Sequence, residues 1–176
     1  MIITPFRCCT GIGADEDGFY YRCAVENIQE REDGSFVAQT LQTISYCPQG
    51  ILPQGFEQPC WGCPSFLVDN GCLYIFSARY RTVRGWVPEG QKNAYIITKF
   101  PLPDLGEGSF VRLGPEDILD QFTVSSDVLF TQGGSIIGGK LYYTYGLPRK
   151  GYPLHILVFD LEKKCLCSHV QNLDQA

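Results

Sequence analysis

The chain has 176 residues, 44% hydrophobic and 19% charged, a globular composition long enough for one domain with a real core. A net charge of −5 excludes a chain-wide electrostatic footprint for nucleic acid, and no apolar run approaches the roughly 20 residues that span a bilayer. Aromatic residues reach 13%, with 19 Gly and 11 Pro against a single Met, a bias toward pleated sheet and tight turns over helices.

The start, MIITPFRCCTGIGADEDG, lacks a charged region followed by a long apolar one, so no signal peptide is visible. As given, the chain reads as soluble and cytoplasmic; trimmed from a longer precursor, it would be secreted or periplasmic. ADEDG reads as a hairpin turn with solvated carboxylates. It leads into DGFYYRCAV (17–25), the first of three Tyr-rich strands that follow a turn ending in Gly. The others are NGCLYIFSA (70–78) and GGKLYYTYG (138–146), so that Gly18, Gly71 and Gly139 align. Asp-Gly, Asn-Gly and Gly-Gly supply the positive φ of two-residue hairpin turns. An apolar segment precedes the turn in each case, best seen as PSFLVD and GGSII.

The rest of each unit follows the same order. GSFVAQTLQTIS after Glu32-Asp33-Gly34, NAYIITKF (93–100) and LHILVFDL (154–161) are candidate third strands; SFVRL (109–113) and CLCSHV (165–170) are candidate fourth strands. PEDILDQF (115–122), with Pro115 in the first turn and acids near the start, predicts one short linker helix. Four short strands per unit describe an up-and-down sheet that hides both faces only by stacking on others.

The cadence "GGKLYY…IxVFDLxxK" of the third unit resembles blades of six- and seven-bladed β-propellers, including the TolB-like and YncE-like families. That resemblance implies an all-β, propeller-like domain over 1–176, with three four-stranded antiparallel blades at about 8–58, 59–125 and 126–174. A β-sandwich or irregular barrel uses the same strands. Propellers have four to eight blades, so the resemblance also implies self-association, or missing blades from a longer chain. It transfers a fold and no activity.

In propellers, the loops leading into the innermost strand and those joining the second and third strands share one face, which usually carries the ligand. Here the first set is 7–13, 60–65 and 130–134, and the second is 26–33, 79–92 and 146–153. Loop 79–92 holds Arg79, Arg81, Arg84 and Lys92 against the single acid Glu89, with Trp86 in the middle. The expected ligand-binding residues are Trp61, Arg81, Arg84, Trp86, Gln132, Arg149, Lys150 and Tyr152. Guanidinium forks and aromatic faces suit a small polar, anionic or carbohydrate ligand. The acidic remainder of the chain speaks against nucleic acid as a partner.

The chain has nine cysteines. Cys60 and Cys63, in PCWGCP, offer half of a zinc site or a redox pair, and Cys165 with Cys167 offers two thiols on one strand face. Pro64 and a β-pattern follow Cys63, where a thioredoxin-like pair opens a helix. Reduced, packed thiols are therefore expected, with no metal and no cofactor. The two histidines, His155 and His169, fall in strands and read as packed or surface residues. No GxSxG, HExxH, P-loop or GxGxxG pattern occurs. A binding or interaction module without catalysis is the leading expectation; the competing classes are a carbohydrate-active hydrolase or lyase whose acids no motif assigns, and a structural subunit that completes a ring by self-association.

Overall fold

Two hairpin turns set the register of most of the chain. Asn70 and Gly71 sit at φ of 47° and 70°, and Gly138 and Gly139 at 57° and 72°, the left-handed pair that a two-residue turn between twisted strands requires. The first joins β6 (Ser65–Asp69) to β7 (Cys72–Ala78); the second joins β11 (Thr131–Ile137) to β12 (Lys140–Leu147). Both turns were legible as Asn-Gly and Gly-Gly. The computed structural model describes residues 2–5, 14–15, 18–19, 21–60, 64–79, 89–125, 131–147 and 151–171. Within them the chain is all-β, in three four-stranded sheets and a two-stranded hairpin, with no closed barrel.

The third sheet follows the predicted strands. β11, β12, β13 (Tyr152–Asp160) and β14 (Cys165–Gln171) form an up-and-down antiparallel meander. The second sheet has the order β6, β7, β8 (Ala94–Pro101) and β10 (Asp120–Ser125), also antiparallel. Its fourth strand is therefore 120–125 and not SFVRL. The predicted helix at 115–122 is only a 3-10 turn, Pro115–Asp117, before β10 begins. The Thr and Val of DQFTVS favour extended chain, and pairing with β8 outweighs a short helix.

The first sheet departs furthest from expectation. It contains β1 (Ile2–Pro5), β4 (Tyr21–Glu30), β5 (Phe36–Tyr46) and β9 (Phe110–Leu113), and β9 runs parallel to β5. SFVRL thus forms a strand, in the neighbouring sheet. Buried Gln42 holds it there: its side-chain amide donates to the carbonyls of Asp104 (2.8 Å) and Gly108 (3.0 Å), pinning the crossover segment. Gly18 is not a turn residue. It pairs with Asp15 in the small hairpin of β2 (Ala14–Asp15) and β3 (Gly18–Phe19). Segment 26–33, expected as a loop, is strand through Glu30.

The sheets stack face to face, and the middle one is covered on both sides. Leu73 and Ile75 of β7, with Phe66 and Phe100, pack against Cys23, Val25, Ile44 and Tyr46 of the first sheet. Tyr74 and Phe76, with Tyr95 and Ile97, pack against Leu141, Tyr143, Leu157 and Phe159 of the third. Alternate residues of one strand face opposite ways, so a strand buried on both faces must be apolar throughout, as CLYIF is. The first strands converge: β6 lies against β1 on one side and β11 on the other. Ser65 Oγ and Tyr143 Oη, 2.9 Å apart, tie β6 to the third sheet. No helix among the described residues is long and apolar enough to cross a membrane.

Candidate functional site

The seam between the second and third sheets has two ends, and both carry polar chemistry. At one end lie the tight turns 69–72, 138–139 and 161–164. They open on a cleft of about 610 Å³ whose walls include Tyr74, Lys99, Asp120, Lys140, Asp160 and Lys164. Lys140 Nζ donates to Asp160 Oδ2 at 2.9 Å, and Lys164 Nζ crosses from the third sheet to Asp120 Oδ1 at 2.7 Å. The backbone N–H of Lys163 also donates to Asp160 Oδ1 at 2.9 Å. That bond, then Lys140, holds the Asp160 carboxyl below the ordinary carboxylate range. The same ion pair raises the Lys140 ammonium. Lys164–Asp120 crosses the seam and Lys140–Asp160 ties β12 to β13 within the third sheet, so the cleft reads as a polar brace.

At the other end lie β12's last residues and β13's first, with Ala78 of β7 packed into the same cluster. Tyr145 and His155 are cross-strand partners, their rings stacked with centroids 4.4 Å apart and an interplanar angle of 9°. His155 Nδ1 lies 2.9 Å from His169 Nε2, and Tyr145 Oη lies 2.9 Å from the same nitrogen. The three side chains share the face of Tyr143 and Leu157, at the rim of the second core cluster. The sequence placed the two histidines in strands; it gave no sign that they meet.

A β-bulge brings them together. From Asp160↔Cys165 and Phe159↔Leu166 the pairing shifts by one, so that Leu157 faces His169 and His155 faces Gln171. Without that shift His169 would pair with Ile156, on the opposite face from His155. The bulge falls at Cys167, whose thiol donates to the carbonyl of Val158 at 3.3 Å. It also breaks the alternation expected to set Cys165 and Cys167 on one face.

Of the predicted binding residues, Trp61, Arg81, Arg84, Trp86, Arg149 and Lys150 lie outside the described residues. Gln132 falls in β11 and Tyr152 in β13, with their side chains outside the described set. Arg79, in the same basic segment, is engaged: it grips Glu57 with two guanidinium nitrogens, Nε at 2.6 Å and Nη2 on the other oxygen. Glu57 comes from the 47–60 linker, so the acids facing this segment were undercounted from sequence.

Among the described cysteines, Cys23 and Cys60 are buried in the first core cluster. Burial pushes the Cys23 thiol up to about 12 and raises Cys60 well above its ordinary value. Cys60 is therefore a packing residue kept as a neutral thiol, the opposite of a redox nucleophile. Among the described residues no three or more His, Cys, Asp or Glu side chains gather as a ready metal cluster. No family model, curated protein or solved structure matches the chain.

Proposed function

We propose that the chain is an interaction module of propeller type, which extends its stack of sheets by pairing with a second copy of itself. The observation that carries this reading is the outer face of the third sheet. Ile137, Tyr142 and Val170 are exposed there, at 66%, 38% and 44%, beside Ile156 and Val158. Aligning Gly71 with Gly139 makes Tyr142 the counterpart of Tyr74, and Ile156 that of Ile97. Tyr74 and Ile97 are the residues on which the third sheet itself rests. The third sheet's outer face thus carries the kind of apolar row that receives a sheet inside this chain. An isologous contact, that face against its copy, satisfies both rows at once. The converging first strands and the two four-stranded meanders support the propeller reading, while the parallel β9 sets the first sheet apart.

Analytical ultracentrifugation over a range of concentrations tests this. The wild type is expected as a dimer, and Tyr142→Asp as a folded monomer with the thermal midpoint of the dilute wild type. A wild type that stays monomeric throughout overturns the proposal.

A second reading is that the loop end binds a small polar or carbohydrate ligand. The stacked Tyr145–His155 pair, a flat partly exposed platform at the rim of the second core cluster, favours it. Thermal-shift screening with anionic sugars, in the wild type and in Trp86→Ala, is the direct test.

A further inference from the structure

We propose that His155 and His169 form a binding site for one divalent first-row cation of the nickel(II) and copper(II) class. They are the chain's only histidines. They stand on neighbouring strands, β13 and β14, with His155 Nδ1 and His169 Nε2 2.9 Å apart. Two imidazole nitrogens bound at about 2.05 Å and at right angles are separated by about 2.9 Å, whereas a tetrahedral angle needs about 3.3 Å. The spacing therefore matches two adjacent ligands of a square-planar or octahedral ion better than a tetrahedral zinc.

Hydrogen bonding at His169 Nε2 is three-centred. An imidazole nitrogen carries either one in-plane lone pair or one N–H. Yet His169 Nε2 has both His155 Nδ1 and Tyr145 Oη at 2.9 Å. Protons satisfy one of those contacts well and leave the other shared. A cation takes a lone pair from each ring and frees the phenol to donate to a cation-bound water. The Tyr145 hydroxyl, 2.9 Å from His169 Nε2, stands where it can donate to such a water. Stacking on Tyr145 holds the His155 ring in place, and His169 is exposed, which leaves a path for the ion. No thiol or carboxylate completes the set among the described residues, so open coordination positions are left to water or an oxygen ligand.

The site is independent of the self-association face, because the two lie on opposite faces of the third sheet. Nickel(II) is the probe, since the nine cysteines would reduce copper(II). The full chain is titrated with Ni²⁺ while its two histidine ring signals are followed by proton NMR, and affinity is read by calorimetry. Expected are selective broadening of both ring signals below one equivalent and a stoichiometry near one. His155→Ala and His169→Ala should each weaken binding roughly tenfold or more, comparable with losses seen at metal sites. Cys165→Ser/Cys167→Ser, which removes two thiols without touching either imidazole, should keep affinity within about threefold. Ring signals that stay sharp in the wild type overturn the proposal, and so does a His155→Ala/His169→Ala variant that binds like the wild type. The wild-type spectrum decides the matter even where a variant fails to fold.

Discussion

Tyr74 and Tyr142 stand three residues after the turn glycines of two successive sheets, yet Tyr74 is 9% exposed and Tyr142 38%. Their strands are alike, CLYIF in one and KLYYT in the other, and so are the strands beside them, AYIITKF and HILVFD. What differs is the neighbour. Among the described residues the second sheet has a sheet on each face, and the third has one on its inner face only. Strand composition therefore reports how many faces a sheet is built to bury, and the fold of one chain reports how many it buries alone. The mismatch in the third sheet is the argument for a partner.

The largest break in that comparison should come from Phe76, which is fully buried at the centre of the seam. Its ring centroid lies 3.9 Å from Tyr143, 4.9 Å from Tyr95 and 5.4 Å from Phe159. Phe76→Ala removes that packing and should cost about 3–5 kcal/mol in urea denaturation. Its counterpart in the third sheet is Thr144, on the outer face, where Thr144→Ala should change the stability of the dilute, dissociated chain by less than about 0.5 kcal/mol. A large loss at Thr144 that grows with protein concentration would show that face covered by a second copy. A smaller effect is expected where the sheets are tied. Tyr143→Phe and Ser65→Ala each delete one side of the 2.9 Å hydroxyl contact and should cost about 1 kcal/mol. Full additivity in a double-mutant cycle would mean that the hydroxyls do not couple.

How far the sequence carried depends on which physical signal was in play. Asn-Gly and Gly-Gly turns, with the apolar runs beside them, place β6–β7–β8 and the whole third sheet, because a tight turn fixes register locally. The first sheet was poorly legible. Its small β2–β3 hairpin hides the connection between β1 and β4, and its fourth strand arrives from residues 110–113 across a loop held by Gln42. Such a long-range bond leaves no mark in periodicity. The His155–His169–Tyr145 cluster was invisible for a different reason. Strict alternation along CLCSHV puts His169 on the wrong face, and only the one-residue slip at Cys167 turns it toward His155. The predicted basic site rests on residue types alone, and Arg79 shows how such a count misleads once Glu57 folds against it.

The smallest effect lies at the turn end, and its direction follows from the charges there. Asp160 accepts from the Lys163 backbone and from Lys140, and its carboxyl is held below the ordinary value. A carboxyl depressed in the folded state binds its proton more weakly there than in the unfolded chain. Its contribution is thus fully present above the ordinary carboxylate range, near pH 4, and is lost as pH falls through the lower folded value. Lys140 runs the opposite way: raised by the same pair, it contributes below its ordinary ammonium value and loses that contribution as pH rises through the raised one. Between those limits the brace is intact. Thermal midpoints measured from neutral to pH 3 should fall less steeply in Asp160→Asn than in the wild type. The substituted amide keeps an oxygen for the Lys163 N–H while removing the titrating group, so a change of slope isolates the charge. Identical slopes would mean that the Asp160 charge contributes nothing to holding β12 against β13, leaving the strand pairing and the aromatic core around Phe76 to order this end of the third sheet.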